Sequence, residues 1–188
     1  MLPFAPITRF TDWFASNEAQ RFVKKMIPSR VGLAAAKVAR REIGKGEFGG
    51  NNRGKDLDRY RGPNNKGKGA WCAAFVGYCL SVGAEGTGLP LKFKRTNGAR
   101  RLFNRAVASG GWLVDYQDIQ PGDLVLWARG SQGWQAHIAF VSRVERDSAG
   151  KVTGFSRIAG NEGVYPALVS EVHQSERKKR RIGFARVS

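Results

Sequence analysis

Cysteine and histidine are scarce in this sequence, which has two of each among 188 residues. The four residues are dispersed and show no zinc-ligand spacing, so we expect neither a metal nor a cofactor. Cys72 and Cys79 fall on one predicted helix, where seven residues rise by about 10.5 Å. Disulfide-bonded cysteines need Cα atoms within about 7 Å of each other. Both cysteines should therefore be free thiols.

Long apolar runs are missing as well. No stretch approaches the roughly 20 residues needed to span a bilayer. Residues 1–20 lack the cationic start, uninterrupted apolar centre and small-residue cleavage site of a secretory signal. We therefore expect the chain to be made in the cytoplasm, so that any action beyond it requires release by another protein.

Acidic residues are few relative to basic ones. Thirty-two Lys and Arg against fifteen Asp and Glu give a formal charge of +17, which favours polyanionic partners such as nucleic acid, anionic lipid or bacterial envelope polymers. The basic residues concentrate at 45–68, 92–101 and 178–181. Nucleic acid is disfavoured, because no helix-turn-helix, zinc finger or aromatic RNA-binding motif accompanies the charge.

The order of the apolar patterns predicts an α+β fold. Helical periodicity appears at 7–27, 30–44, 71–82 and 97–109, with Ser29 placed to cap the second helix and Gly83 to close the third. Residues 45–69 have the composition of a long irregular loop. After residue 111 the chain turns to five short β-prone runs, so we expect N-terminal helices packed on a C-terminal antiparallel sheet.

Two units follow from this pattern: an amphipathic helical extension at 1–28 and one domain at 29–188. The apolar side of the extension suits docking on the domain, and it also suits contact with a membrane surface. We expect the protein to be a monomer.

Cys72 differs from Cys79 in its position along the predicted helix. Cys79 lies deep in an apolar stretch, where a free cysteine acts as a small hydrophobic residue. Cys72 lies in the first turn, after a glycine-rich loop, where unpaired backbone N–H groups and the helix dipole favour the thiolate. Cys72 is thus the candidate nucleophile.

A cysteine nucleophile needs a base and a polar group that orients it. His137 begins the strand "HIAFV", and alternation puts it on the face of Ala139 and Val141, which are small enough to leave space for a helix terminus. His173 lies beside a charged turn and is predicted to be a solvated side chain. The turn "AGNEG" offers Asn161 and Glu162 as acceptors for the imidazole.

With cysteine, histidine and asparagine in this order, residues from about 35 to 187 resemble the CHAP family of cysteine, histidine-dependent amidohydrolases and peptidases, in the NlpC superfamily. The resemblance is carried by "REIGKGEFGGNN", "RY" at 59–60, "WCAAFVGYCL", "PGDLVLW", "HIAFV", "GNEG" and "GFARV". It implies a papain-like α+β fold and cleavage of an amide bond in bacterial peptidoglycan.

The resemblance also implies roles for individual residues. Cys72 would be the nucleophile, His137 the base and then the acid, and Asn161 the orienting residue. Many family members have Glu two residues before that Asn, where this chain has Ala159, and Glu162 is the reserve candidate. Asn52, Tyr60 and Trp134 are candidate substrate-binding residues near the nucleophile or the histidine.

Several biological settings agree with this chemistry. A small basic wall hydrolase without a signal suggests a phage endolysin, which reaches the wall after another protein permeabilises the membrane. An antibacterial secreted effector and a virion-associated lysin are alternatives, and basic patches or the N-terminal helix would bind anionic envelope polymers or an outer membrane. Rival hypotheses are an inactive wall-binding member of the fold and a nucleic-acid-binding protein without enzymatic activity.

Overall fold

A computed structural model describes residues 27–63, 69–131, 134–175 and 181–188. The amphipathic helix predicted at 7–27 lies outside the described residues, apart from its last position, and so does most of the basic run at 178–181. Within the described ranges, no helix combines the length and apolar character needed to cross a membrane.

In the described part of the chain, four α-helices precede the sheet: α1 (Arg30–Arg41), α2 (Lys55–Arg61), α3 (Cys72–Thr87) and α4 (Ala99–Ala108). The Ser29 hydroxyl accepts the Gly32 N–H at 2.9 Å and caps α1, as the sequence predicts. The prediction of an unbroken irregular loop at 45–69 is wrong, because α2 forms within it. Leu57 and Tyr60 supply the buried side of this short helix.

The predicted end of the cysteine helix at Gly83 is also wrong. The helix continues to Thr87, and Gly88 closes it in the left-handed conformation at φ 69°. Gly83 serves packing: a Cβ there would come within 2.8 Å of the Ala35 Cα on α1. The two helices therefore approach closely at small residues.

The strands form one six-stranded antiparallel sheet in the order β1-β6-β2-β3-β4-β5. Helices followed by an antiparallel sheet confirm the predicted α+β class. A 3₁₀ turn at Tyr116–Asp118 follows β1, a strand that the sequence analysis did not predict. The bounds are β1 Trp112–Val114, β2 Leu124–Ala128, β3 Ala136–Arg146, β4 Val152–Glu162, β5 Leu168–Ser175 and β6 Arg181–Arg186.

Alternation along the central strands divides the apolar residues between the two faces of the sheet. Ile138 and Phe140 of β3 pack with α3 in the larger core. Ala139 and Val141 pack on the opposite face, in a second cluster with Trp127 and other side chains. The expectation that Ala139 and Val141 leave space for a helix terminus is therefore wrong, because they lie on the face away from α3.

An irregularity near the end of β4 decides where the last residues of that strand point. Ala159 pairs with Ser170 and Glu162 pairs with Leu168, so β4 has one residue more than β5 between these pairs. Asn161 occupies this bulge with φ 62°. Since the extra residue shifts the alternation by one position, Glu162 lies on the face of Ala159, where regular alternation would have put Asn161.

Candidate active site

Cys72 is the first residue of α3 and lies at one side of a cleft of about 610 Å³. The first turn of α3 contains no acidic residue, and Trp71, at the N-cap, provides no side-chain cap. Backbone N–H groups and the helix dipole at this end favour negative charge on the thiol. Only 3% of Cys72 is exposed, so the cleft is the route by which a reactant reaches it.

Trp71 anchors the residue next to the nucleophile. It is fully buried, stacks on Tyr60 with ring centroids 5.8 Å apart, and donates its indole N–H to Glu47 at 3.2 Å. Gly160 of β4 leaves room for the indole, since a Cβ at that position would collide with the Trp71 ring. The position of Cys72 is thus set by rigid packing behind it.

Glu47 ties three segments together beneath the site. Besides the Trp71 indole, its carboxylate accepts the backbone N–H groups of Asn52 and Ala167, each at 2.9 Å. Glu47 is almost fully buried, and these hydrogen bonds offset its desolvation. The sequence analysis quoted Glu47 inside "REIGKGEFGGNN" without giving it a role. An acidic residue within a glycine-rich, mainly basic loop was the signal available.

His137 lies at the start of β3 with its imidazole almost fully buried. Its Nε2 is 2.7 Å from the Glu162 Oε1. Its Nδ1 is also buried and has no hydrogen-bond partner within the described ranges. Because Nε2 is taken by Glu162, Nδ1 is the nitrogen available to the Cys72 thiol, with which the imidazole interacts.

Glu162 is held by a second partner, Arg157. The two side chains form an ion pair on β4, and the Arg157 guanidinium lies 4.6 Å from the ring centroid of Trp127. Burial opposes ionisation of Glu162, but its hydrogen bonds to His137 and Arg157 prevail and lower its pKa from 4.5 to about 2. Glu162 is therefore a carboxylate at any pH at which the protein would work. Sequence analysis did not single out Arg157.

The structure places Glu162 at the imidazole, and no hydrogen bond joins the Asn161 side chain to His137 among the described residues. The β4 bulge is the physical reason, since it turns Asn161 away and returns Glu162 to the face of His137. The orienting position predicted for Asn161 is thus occupied by the reserve candidate.

The thiol and the imidazole shift each other's protonation. Burial raises the pKa of Cys72, but the neighbouring His137 imidazole and its charge, with the Ile138 backbone N–H, outweigh it and bring the pKa below the ordinary thiol value. Burial likewise disfavours the charged imidazole, but the interaction with Cys72 and the hydrogen bond to Glu162 raise the pKa of His137. Both directions favour a thiolate–imidazolium pair. Burial raises the pKa of Cys79 well above the ordinary value, as suits a thiol that stays neutral in a core.

The three candidate substrate-binding residues have different locations. Trp134 is 74% exposed and lines the cleft beside Cys72. Tyr60 is fully buried and donates its hydroxyl to Glu42 at 2.8 Å, so a direct contact with substrate is ruled out for it in this structure. Asn52 lies outside the cleft lining, where its backbone conformation (φ 56°) and its bond to Glu47 shape the loop.

His173 is an exposed residue, with Nδ1 3.5 Å from a Glu145 carboxylate oxygen. Within the described ranges, no three His, Cys, Asp or Glu side chains come together in a cluster that could hold a metal ion.

A cysteine at a helix start, facing a histidine and a carboxylate from adjacent antiparallel strands, is the arrangement of the papain-like α+β fold. Residues 63–156, half of the chain, match the CHAP domain family, and this chain belongs to that family. The matched range includes Cys72 and His137; Glu162 lies six positions beyond it. No curated protein matches the chain.

Several solved structures are similar to this chain at low sequence identity. The crystal structure of Ly7917 superposes with a TM-score of 0.52 at 15% identity, over 85% of this chain and 63% of that one. This chain thus spans less than two thirds of that protein's length. The peptidoglycan hydrolase RipB of Mycobacterium tuberculosis gives 0.45 at 15% identity, over 98% and 92%. RipD of the same organism, a non-catalytic NlpC/p60 protein, gives 0.44 at 14%, over 84% and 97%.

Proposed function

We propose that this protein is a peptidoglycan hydrolase that cleaves an amide bond of the bacterial cell wall through Cys72, His137 and Glu162. The observation that carries the proposal is a row of three side chains that begins with Cys72 at the cleft: a thiol with lowered pKa, an imidazole with raised pKa and a carboxylate 2.7 Å from that imidazole. Membership of the CHAP family supports the substrate class.

The first half of the reaction forms a thioester. The Cys72 thiolate attacks the amide carbonyl carbon, forming an Sγ–C bond while the carbonyl electron pair moves to oxygen. The resulting oxyanion lies at the start of α3, where backbone N–H groups, including that of Cys72, stabilise it. As the tetrahedral centre collapses, the C–N bond breaks and the His137 imidazolium gives its proton to the leaving amine.

The second half regenerates the thiolate. Neutral His137 removes a proton from water, the water oxygen attacks the thioester carbon, and Sγ leaves as the carboxylic acid product forms. Glu162 holds the imidazole in one orientation and stabilises its charged form in both halves. Arg157 keeps Glu162 in place and is thus a positioning residue.

The decisive experiment compares Cys72→Ala with Cys79→Ser on purified cell walls. Cys72→Ala should abolish release of soluble muropeptides while wall sedimentation persists, and Cys79→Ser should keep most activity because Cys79 is a buried thiol outside the cleft. Mass spectrometry of the products identifies the bond that is cut. Wall clearing by the Cys72→Ala protein at the wild-type rate would overturn the proposal.

For the biological setting we propose a phage endolysin that reaches the wall once a separate protein has permeabilised the membrane. The charge of +17 supports retention on an anionic wall, with attraction that weakens as salt rises. Expression in bacteria should lyse the cells only with a co-expressed membrane-permeabilising protein. Lysis by the hydrolase alone would contradict this setting, as would wall binding that is indifferent to salt.

A further inference from the structure

One wall of the cleft beside Cys72 is formed by α4 and the residues just before it. Positions 97, 101, 104, 105 and 108 recur at helical spacing, so one side of the helix faces the cleft while Leu102, Phe103 and Ala106 pack into the core. Among the residues that the structure describes, none that lines the cleft is acidic. Its α4 wall is defined by the lining residues Asn97, Gly98, Ala99, Arg100, Arg101, Asn104, Arg105 and Ala108.

The arginines on this wall lack carboxylate partners. No ion pair joins Arg100 or Arg101 to an acidic side chain of the described residues, and the Arg100 Nε is buried without a hydrogen-bond partner there. Arg105 is different, because its Nη1 donates to the carbonyl oxygens of Lys94 and Arg95 at 3.0 and 3.2 Å. Arg100 is half-buried, Arg101 is exposed, and both line the cleft, so the outer N–H groups of their guanidinium ends can donate to an acceptor on a ligand.

The start of α4 adds to this positive character. Gly98 at the N-cap has no side chain to accept the free N–H groups of the first turn, and that turn contains no acidic residue. Helix starts of this kind favour anions, because unpaired N–H groups and the helix dipole point at them. Gly98 and Ala99 both line the cleft, so these donors and the arginines lie on the same wall.

We propose that the α4 wall binds an oxyanion of the substrate, a carboxylate of the stem peptide that lies close to the scissile amide, and so positions that amide at Cys72. The inference rests on the proposed function and specifies its substrate: peptides with a free carboxylate beside the cleaved bond. Arginine suits this role because its planar N–H donors match a carboxylate in pairs. A phosphate of an envelope polymer offers the same chemistry, and the experiment separates the two sources.

The test uses soluble muropeptides in matched forms, with stem carboxylates free or amidated. Arg100→Gln/Arg101→Gln should raise KM for the free form by about tenfold or more, the loss expected for charge-assisted hydrogen bonds. The same double variant should leave kcat for the free form, and KM for the amidated form, nearly unchanged. Arg100→Lys/Arg101→Lys should recover part of the loss. The control, Arg30→Gln/Arg41→Gln, removes two exposed charges on α1, outside the cleft, and should leave KM unchanged.

Binding separates this proposal from the proposed function. Calorimetry with the Cys72→Ala protein measures muropeptide affinity whether or not the wild-type enzyme turns over. Tighter binding of the free form, lost in the Arg100/Arg101 double variant, supports the carboxylate site. Equal affinities for both forms overturn it, even if Cys72-dependent cleavage is established. If glycerol phosphate polymer competes and free and amidated muropeptides bind alike, the site takes phosphate and the carboxylate assignment is overturned.

Discussion

The His137 Nε2 lies 2.7 Å from the Glu162 Oε1, so a carboxylate and not an amide faces the imidazole in this chain. The difference matters because a carboxylate stabilises the charged imidazolium by a full charge, whereas an asparagine amide offers only a dipole. The raised pKa of His137 and the lowered pKa of Glu162 are the two sides of this interaction, with Arg157 contributing to the second.

The first prediction concerns this carboxylate. Glu162→Gln keeps the size of the side chain and an acceptor oxygen but removes the charge, so we expect kcat/KM on a soluble muropeptide to fall roughly 10- to 10³-fold. The alkaline limb of the pH profile should also move to lower pH, because the imidazolium loses its neighbouring charge. Steady-state kinetics across pH measure both effects.

The matched control for this change is Asn161→Gly. Asn161 has φ 62°, a conformation that glycine adopts without strain, so the variant removes the side chain and keeps the bulge. Activity should remain within about twofold of wild type. A large loss in Asn161→Gly with little loss in Glu162→Gln would return the orienting role to Asn161.

The second prediction is a difference in thiol reactivity. The pKa of Cys72 is lowered and that of His137 is raised, so thiolate and imidazolium each persist over a wider range of pH than in the isolated side chains. Alkylation of Cys72 by iodoacetamide should therefore rise at a lower pH than that of an ordinary free cysteine, and activity should fall as His137 deprotonates at a higher pH than an ordinary imidazole.

Mass spectrometry of the labelled peptides follows each cysteine separately. Cys79, buried and with a raised pKa, should stay unlabelled in the folded protein. In His137→Ala, the alkylation profile of Cys72 should move to higher pH, because the partner that lowers its pKa is gone. An unchanged profile in that variant would contradict a thiolate stabilised by His137.

The third prediction tests the packing behind the nucleophile. Gly160→Ala puts a methyl group into the Trp71 ring and 3.0 Å from the Phe75 Cβ, so the indole that precedes Cys72 must move. We expect a loss of about 1–3 kcal/mol in the free energy of unfolding, with reduced activity. Chemical denaturation and muropeptide kinetics measure the two effects.

Gly86→Ala is the control for this prediction. Gly86 lies within α3 and has nothing within 4 Å of an added Cβ. The substitution should therefore stabilise the protein by up to about 1 kcal/mol, since alanine favours a helix over glycine. If both variants changed the free energy of unfolding equally, the close approach of Gly160 to Trp71 would not contribute to stability.

The fourth prediction concerns the buried ion pair between Asp123 of "PGDLVLW" and Arg186 of β6. Arg186 Nε and Nη2 donate to the two Asp123 carboxylate oxygens at 2.7 and 2.9 Å, and both side chains are almost completely buried. Asp123→Asn removes the negative charge that faces the buried guanidinium, so the free energy of unfolding should fall by about 3 kcal/mol or more.

An exposed pair provides the comparison. Arg143 and Glu145 are 3.3 Å apart, but their side chains are 67% and 39% exposed. Arg143→Ala should change stability by no more than about 0.5 kcal/mol, because solvent screens such pairs. Denaturation of both variants measures the contrast, and equal losses would refute the structural importance of the Asp123–Arg186 pair.

The local patterns of the sequence were sufficient for much of the fold. Helical periodicity located α1, α3 and α4, and β-prone runs located five of the six strands, because these elements are long enough to carry their period. The end of α3 was misplaced at Gly83, since glycine inside a helix looks like a stop signal until the neighbouring helix is seen. α2 was not predicted because its seven residues, within a polar, glycine-rich loop, are too few to show a helical repeat of apolar residues.

Around the site, sequence and structure contributed different parts. Cys72 and His137 stood out as candidates because one opens an apolar helix and the other begins an apolar strand. Their catalytic roles remain predictions. Tyr60 was a candidate for substrate contact, and the structure buries it against Trp71 instead. Glu47 and Arg157 had no pattern to mark them, since each acts through residues far along the chain or across the sheet.

The sequence by itself determined the α+β order, the strong positive charge and the position of one cysteine at a helix start, because these depend on composition and local period. Tertiary structure alone decided that Glu162, not Asn161, meets His137. That choice depends on a single extra residue in β4, and a bulge exists only once β4 has paired with β5. Tertiary structure also placed the α4 arginines and Cys72 in the same cleft, because packing between distant segments brings them together.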